Sequence, residues 1–386
     1  MATSHAASVT SNRSARSPVS LFLMTNTFET GGSERQFAVL AQNLNPGEFQ
    51  LHLGCIRRAG PFAELFGPVP EFRLGGSLFG WKSLRTRFRL SRHLRRNKIQ
   101  IAHAFDFYTN MTLIPAARLA RVPVVIGSHR QIGDLLTPAQ FHAQAAAFRF
   151  CDAVVCNSHA AADRLAASGL SRDKLVVIGN ALPADVFVPA VPALPRRSDV
   201  LRIGMVARMN ARYKNHSGFL RIAARIRQVS PQTEFILAGD GPLRQELERE
   251  ARDLGLAQSV HFLGDRRDIA AVHASMDVAV LTSDSESLSN VILEAMAAGL
   301  PVVAYRGGGN PELIDEQRGV LVAAGDEGDF AAGVLRLLHQ PALREQLGRN
   351  ARQFVEEKFG LERVLNRYQE LYATLLQKKG VRISAA

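Results

Sequence analysis

Twelve short apolar runs, with helical segments between them, constrain the fold more than any other feature of the chain. Short, nearly continuous apolar runs are typical of parallel strands that helices cover on both faces. The runs in the first half are 19–25, 51–56, 99–105, 122–128, 153–158 and 174–179. Those in the second half are 201–206, 233–239, 259–264, 277–282, 301–306 and 319–324. They predict an α/β fold with two doubly wound, Rossmann-like lobes that face each other across a cleft.

A proline-rich stretch at 186–199 separates the two sets of runs. Proline disfavours helix in its neighbourhood and favours an extended connector. We therefore predict a first lobe over 19–185, an interdomain linker over 186–199 and a second lobe over 200–360. Residues 1–18 are rich in Ser and Ala, lack core periodicity and are predicted to be a disordered tail, with a transit peptide as the alternative.

Charge and cysteine content narrow the class of protein. The formal net charge of +12 favours an anionic partner such as nucleic acid, a membrane surface or a phosphorylated substrate. The cysteines Cys55, Cys151 and Cys156 are odd in number and scattered, which argues against a disulfide framework and favours a reducing compartment. No apolar run reaches the roughly 18 residues that span a bilayer. These features predict a cytoplasmic protein.

The stretch 81–98 combines positive charge with helical periodicity. It contains no acid, and its basic residues are Lys82, Arg85, Arg87, Arg89, Arg92, Arg95, Arg96 and Lys98. Leu84, Phe88, Leu90 and Leu94 offer apolar pairs at helical spacing, so a basic amphipathic helix is predicted. Such a helix either docks on the sheet with a solvated outer face or leans on an anionic membrane, here the inner face of the plasma membrane. Nucleic acid is disfavoured because aromatic residues are not interleaved with the basic ones.

The stretch 283–312 carries the strongest indication of a ligand. A helix is predicted to begin near Ser289 or Asn290, so that free backbone N–H groups there and at Val291 point outward and attract phosphate. Glu286 precedes this helix start, and Glu294 lies about one turn inside it. A nucleotide sugar fits this layout, with Glu294 accepting ribose hydroxyls and Glu286 a sugar hydroxyl. The alternative is a pair of ordinary helix-surface glutamates.

Other candidate residues follow the predicted strands, where open α/β sheets bind their ligands. Arg208 and Lys214 could place two cations on a diphosphate, the alternative being a solvated loop. Gly31 and Gly32 belong to a GGSE turn that lets backbone approach a ligand, or that is a tight turn alone.

Two histidines also end predicted strands. His129 is favoured as an active-site group, whereas for His103 a structural role is favoured over an active-site one. Gly239 and Gly241 follow the strand at 233–239 in the same way.

Signals for other chemistries are weak. Cys151 and Cys156 are spaced wrongly for a zinc site, and the acidic triplet at 284–286 lies in the loop assigned to sugar contacts. No G-x-G-x-x-G pattern follows the first strand, which weighs against a dinucleotide oxidoreductase. We expect no essential metal and no cofactor, the nucleoside-diphosphate sugar being a co-substrate.

Together these residues resemble the retaining glycosyltransferases of family 4, which have the GT-B fold. The resemblance rests above all on ESLSNVILEAMAAGLPVVAYRGGGNPEL, which is similar to the E-x7-E signature of the family followed by AMAxGxPVVA and GGxPE. The pair Arg208 and Lys214 and the segment GDGPLR add to it. The chain departs from the family pattern at Ser287-Leu288 and at Asn180-Ala181.

The resemblance implies that the second lobe holds the nucleotide sugar and the first lobe the acceptor, and that 361–386 form a helix crossing back to the first lobe. The implied donor-binding residues are Gly32, Arg208, Lys214, Gly239, Gly241, Phe262, Leu263, Gly264, Glu286, Ser289, Asn290, Val291 and Glu294. Those implied in catalysis are His129, Arg208, Lys214 and Glu286. On the acceptor side are Gly31 and His103.

The leading hypothesis is a retaining, metal-independent transferase that moves a sugar from a nucleoside diphosphate to a sugar or lipid-linked acceptor such as a polyprenyl carrier. Bacterial polysaccharide or glycolipid assembly would suit it. One alternative is a nucleotide-sugar epimerase of GT-B fold. Another is a non-catalytic, membrane-associated scaffold with a transferase-like body.

Overall fold

The computed structural model of the protein describes residues 18–381. The predicted tail at 1–17 and the residues 382–386 lie outside the described residues.

Within the described chain, two six-stranded sheets form, one from each half, and all their strand pairs are parallel. The first sheet consists of β1 (Val19–Thr25), β2 (Phe49–Cys55), β3 (Ile101–Ala104), β4 (Val124–His129), β5 (Ala153–Cys156) and β6 (Leu175–Val177). The second consists of β7 (Arg202–Val206), β8 (Glu234–Ala238), β9 (Val260–Gly264), β10 (Val278–Leu281), β11 (Val302–Tyr305) and β12 (Gly319–Val322). Each predicted run overlaps one of these strands, which confirms the predicted α/β fold.

Helices connect the strands and cover both faces of each sheet. In the first half they are α1 (Gly32–Asn43), α2 (Trp81–Arg96), α3 (Phe107–Ala120), α4 (Pro138–Phe148) and α5 (His159–Ala167). In the second half they are α6 (His216–Val229), α7 (Arg244–Asp253), α8 (Ile269–Ala274), α9 (Asn290–Ala297), α10 (Asn310–Leu313), α11 (Glu327–His339), α12 (Pro341–Phe359) and α13 (Leu361–Lys378). The central strands β3, β4, β10 and β11 are buried along their whole length, whereas the edge strands β6 and β12 are partly exposed.

The strand order places a crevice at the same point of both sheets. The orders are β2-β1-β3-β4-β5-β6 and β12-β11-β10-β7-β8-β9. The chain therefore reverses direction across the sheet after β2 in one lobe and after β9 in the other, which puts the switch points between β1 and β3 and between β7 and β10. Beyond the carboxyl ends of strands at such a switch point, the flanking loops diverge and leave room for a ligand.

The C-terminal helix packs on the first lobe. Val364, Tyr368 and Tyr372 of α13 belong to the same buried cluster as Leu21 of β1. The approach begins at the end of α12, where the backbone N–H of Leu182 donates to the carbonyl of Phe359. Helix α13 is therefore part of the first hydrophobic core.

The basic stretch forms helix α2 as predicted, but only part of its apolar set is buried. Leu90 and Leu94 pack into the first lobe. Leu84 and Phe88, which were expected to dock with them, are exposed, as is Trp81 at the start of the helix. Ser83, Thr86 and Ser91 share the buried face of the helix with Leu90 and Leu94, whereas Leu84 and Phe88 lie on its exposed side.

The three cysteines are free and buried, in agreement with the prediction that the chain has no disulfide framework. Among residues 18–381, no helix is both long and apolar enough to cross a bilayer.

Candidate functional site

A cavity of about 770 Å³ lies where the two switch points face each other. Its wall is built by loops that leave the carboxyl ends of strands in both lobes. Those of the first lobe include 30–33 after β1 and 130–132 after β4. Those of the second include 206–208 after β7 and 285–291 after β10.

Two helix starts converge on this cavity. Helix α9 begins at Asn290, as predicted, and the Ser289 side chain caps it by accepting from the backbone N–H of Ile292. Helix α1 begins at Gly32 with no side-chain cap, and a Cβ added at Gly32 would lie 3.1 Å from the Asn290 side-chain nitrogen. The positive ends of both helix dipoles thus point toward one space, which favours an anion there.

Lys214 and Glu286 form an ion pair in the cavity wall. The Lys214 ammonium lies 2.6 Å from the Glu286 carboxylate, and both side chains are largely buried. The loops that carry them are tied together, because Asp284 donates its backbone N–H to the Tyr213 carbonyl at 2.8 Å. Arg208 lines the same wall. The three charged groups predicted to handle a diphosphate and its sugar therefore lie in one place.

The glycine turn after β11 packs against the backbone of the loop that carries Glu286. A Cβ at Gly308 would lie 1.7 Å from the Glu286 carbonyl oxygen, and one at Gly309 would lie 1.7 Å from that of Ser287. The backbone N–H of Gly309 also donates to the Glu286 carbonyl. Glycine is required at these positions because no side chain fits between the two loops.

Glu294 is paired with Arg35, a residue that the sequence did not single out. The Glu294 carboxylate is buried and accepts a hydrogen bond from the Arg35 guanidinium, which comes from helix α1 in the opposite lobe. Burial raises the pKa of Glu294, and the Arg35 charge opposes that shift. The feature of the sequence that could have indicated Arg35 is its position directly after the GGSE turn.

Polar contacts join the two lobes beside the cavity. The Ser287 hydroxyl donates to Asn157 at 2.6 Å and lies 3.0 Å from the Ser158 hydroxyl. Asn180 donates to the Leu288 carbonyl and to the Asn290 side chain, at 3.1 and 2.7 Å. Ser287, where the chain departs from the family pattern, and Asn180, which precedes the second departure at Ala181, therefore both contact the opposite lobe.

Glu312 makes a second kind of contact between the lobes. Its carboxylate accepts the backbone N–H groups of His159 and Ala160, both at 2.9 Å. These groups begin helix α5, so the carboxylate of one lobe caps a helix of the other. Glu312 does not line the cavity.

His103 lies in the core of the first lobe and does not line the cavity. Its ring is fully buried, with Nδ1 at 2.8 Å from the Tyr372 hydroxyl and Nε2 at 2.8 Å from the Ser128 hydroxyl. Burial lowers the pKa of His103 to about 3. Helix α13 covers His103 and both of its ring nitrogens have partners, so the structure gives it the structural role that the sequence favoured rather than a place on the acceptor side of the cavity.

His129 lies behind the cavity wall. Its ring is 1% exposed and contacts Gln144, while the next residues, Arg130 and Gln131, line the cavity. Burial lowers the pKa of His129 to about 4, so the ring is neutral near pH 7. The strand turns the His129 side chain inward, behind the cavity wall, and its predicted contact with reacting atoms stays a prediction.

Part of the implied donor-binding set also lies outside the cavity wall. Gly239 lines the cavity, but Gly241, Phe262, Leu263 and Gly264 do not. Gly241 has a positive φ, and its Cβ would lie 2.4 Å from the Met209 carbonyl oxygen, so close packing explains this glycine. The wall here comes from the loop that follows β9, through Asp265, Arg266, Arg267 and Ile269.

Comparison with known proteins gives two family matches. The model described as "Glycosyltransferase Family 4" matches residues 30–186, and the model "Glycosyl transferases group 1" matches residues 200–340. Together they cover most of the chain, one in each lobe.

Similar proteins carry transferase names. The chain is 30% identical over 228 residues to the lipopolysaccharide core biosynthesis glycosyltransferase LpsE of Rhizobium meliloti, a match covering 59% of this chain and 66% of LpsE. It is 33% identical over 212 residues to the putative glycosyltransferase EpsF of Bacillus subtilis, covering 51% of this chain and 55% of EpsF. The chain thus spans somewhat more than half the length of these two relatives.

Solved structures share the fold. Anabaena Alr3699/HepE in complex with UDP superposes with a TM-score of 0.80 at 22% identity, covering 92% of this chain and all of that one. A glycosyltransferase from Rickettsia africae gives a TM-score of 0.80 at 16% identity, covering 94% and 100%. Identities this low establish the two-lobed architecture alone.

Proposed function

Because this chain belongs to the group 1 glycosyltransferases of family 4, we propose that it transfers a sugar from a nucleoside-diphosphate sugar to a sugar or lipid-linked acceptor, in bacterial polysaccharide or glycolipid assembly. The observation that carries the proposal is the convergence of two helix starts and the Lys214–Glu286 pair on one cavity. Its volume of about 770 Å³ falls within the range of small-molecule sites. The names of LpsE and EpsF and the UDP held by the Anabaena protein support it.

The proposed donor lies with its diphosphate between the starts of α1 and α9. Arg208 and Lys214 neutralise the phosphates, Glu294 accepts ribose hydroxyls and Glu286 accepts a hydroxyl of the transferred sugar. Because Lys214 and Glu286 are in direct contact, they mark the junction of phosphate and sugar. That junction is the bond that breaks in transfer.

The proposed reaction is retaining, independent of metal and without a resident cofactor. The bond between the anomeric carbon and the diphosphate oxygen breaks, and a bond from that carbon to the acceptor oxygen forms on the same face. The acceptor proton passes to the departing diphosphate. Arg208, Lys214 and the two helix dipoles stabilise the charge that develops on this leaving group.

Thermal unfolding with UDP, GDP and ADP tests the donor site. Nucleotide at roughly 100 times its dissociation constant adds about 2.7 kcal/mol, enough to raise the unfolding midpoint by several degrees. We expect one nucleotide to raise the midpoint of the unaltered chain and of Glu316→Ala, an exposed control, but not that of Glu294→Ala. Failure of all three to shift the unaltered chain would reject the proposal.

Product analysis separates the alternatives. An epimerase of the same fold would alter the donor sugar without an acceptor, and a scaffold would neither bind nor convert it. The proposed transferase instead consumes a nucleotide sugar in proportion to the acceptor glycosylated. The anomeric configuration of that product tests retention, and activity in a chelator tests metal independence.

We also propose that helix α2 rests on an anionic membrane at its cytoplasmic face, where a lipid-linked acceptor would lie. Phe79, Trp81 and Phe88 are 77%, 78% and 55% exposed. Exposing such large apolar side chains to water is unfavourable, and contact with lipid would remove that cost. Basic residues surround them, and the stretch 81–98 has no acid. Arg87, Arg89 and Arg95 differ from the others, because each donates to a backbone carbonyl of the first lobe.

Removing three exposed charges from α2 is expected to weaken vesicle binding by roughly a hundredfold, at about 1 kcal/mol per charge. The variant carries Arg85→Gln, Arg92→Gln and Arg96→Gln. Trp81 is the only tryptophan of the chain, so its emission should shift to shorter wavelength on phosphatidylglycerol vesicles and not on phosphatidylcholine. The control carries Arg252→Gln, Arg336→Gln and Arg363→Gln, all exposed and away from α2. Equal binding by both triple variants would contradict membrane contact through α2.

A further inference from the structure

One oxygen of the Glu294 carboxylate accepts a hydrogen bond from Arg35, and the other is available to a ligand. Among residues 18–381, its only hydrogen-bond partner is Arg35, which holds Oε1. Glu294 also lines the cavity. A carboxylate can accept several hydrogen bonds, so Oε2 remains available to a ligand while Oε1 is held.

Arg35 is poorly placed to stabilise its own helix. It lies in the first turn of α1, where the helix dipole disfavours a positive charge. Arg35 also lines the cavity. The arginine therefore acts through its partner, and that partner belongs to the opposite lobe.

We propose, on the basis of the donor site proposed above, that Arg35 is a positioning residue for the nucleotide. It keeps Glu294 ionised and aims its free oxygen at the ribose. Because the two residues come from different lobes, nucleotide binding and closure of the cleft stabilise each other, and the coupling is reciprocal.

The electrostatics around Glu294 agree with this role. Burial raises the pKa of Glu294, and Arg35 is the only charged group among the described residues that acts appreciably against the shift. Helix α12, the strands β10 and β11 and the short turn Ala184–Phe187 with its Asp185 pack against α9, and none of them brings a charge that alters the pKa of Glu294. Without Arg35 the pKa rises further, so the carboxylate is lost at a higher pH.

A tether between lobes is the simpler role, and Glu312 provides the comparison. Glu312 also joins the lobes but faces helix α5 rather than the cavity. If Arg35 were only a tether, Arg35→Met and Glu312→Gln would have similar effects on nucleotide binding. If Arg35 positions Glu294, only Arg35→Met changes the nucleotide affinity and its pH dependence.

Calorimetric titration with UDP, GDP and ADP at pH 8 and pH 6 tests this inference. For the nucleotide that binds the unaltered chain, we expect Arg35→Met to lose about tenfold in affinity at pH 8 and more at pH 6. Arg35→Lys should recover the pH profile, and Glu312→Gln should stay within about twofold of the unaltered chain at both pH values.

A double variant decides whether Arg35 acts through Glu294. In a Glu294→Gln background, Arg35→Met should change the affinity little, because the carboxylate that it positions is gone. An equal loss in both backgrounds, or unchanged affinity of Arg35→Met at both pH values, would overturn the inference while leaving the donor site intact. Absence of binding to the unaltered chain would instead reject the donor site, and this inference with it.

Discussion

Replacing Lys214 by methionine is expected to lower kcat for sugar transfer by roughly 10²- to 10³-fold. The departing diphosphate gains charge as its bond to the sugar breaks, and a fixed cation that meets this charge is worth about that factor. Lys214 lies 2.6 Å from Glu286, so its loss also leaves an uncompensated carboxylate beside the leaving group. Initial rates with the nucleotide sugar that the unaltered chain uses, at saturating acceptor, measure the effect.

Arg212 is the matched control for Lys214. It lies two residues earlier on the same short turn, Arg212–Lys214, but its side chain is 75% exposed and pairs with Glu246 outside the cavity. Arg212→Met removes the same charge from the same turn and should keep kcat within about twofold. Equal losses in both variants would mean that net charge or turn stability, rather than contact with the diphosphate, explains the result.

The strands and the start of α9 could be predicted from the sequence because local chemistry decides them. Short, nearly continuous apolar runs are typical of strands that are covered on both faces, and a strand overlaps every predicted run. Ser289 is a strong N-cap type directly before an apolar run, and the helix begins at the next residue. Lys214 and Glu286 could likewise be assigned to one site, since both follow strands of the second lobe.

The contacts between lobes could not be predicted in this way. Arg35 and Glu294 are separated by 259 positions, and no local pattern indicates which residues of two separate sheets meet. The same limit explains His103. A polar residue at a strand end points toward the cleft unless another element covers it, and Tyr372 on α13 covers His103. Its partner Tyr372 lies 269 positions away in the sequence, so the residues around the strand end do not indicate this contact.

Replacing Glu286 by glutamine is expected to lower kcat/KM for transfer by about a hundredfold, while nucleotide affinity is kept or slightly improved. Glutamine has the size of glutamate, so the loop backed by Gly308 and Gly309 keeps its shape. The variant loses the charged acceptor that holds the transferred sugar in the transition state. It also removes a negative charge near the diphosphate, which accounts for the opposite sign expected for binding of the nucleotide alone.

Two measurements on one protein sample check that Glu286→Gln lowers kcat/KM without lowering nucleotide affinity. Initial rates give kcat/KM, and calorimetric titration with the nucleoside diphosphate gives the affinity. Glu316→Gln is the control, since that carboxylate is exposed and does not line the cavity; both quantities should stay within about twofold. A Glu286→Gln protein that loses nucleotide affinity but still transfers sugar would place Glu286 at the nucleotide and not at the sugar. Because Glu286 touches Lys214, that outcome would also move the proposed position of the breaking bond.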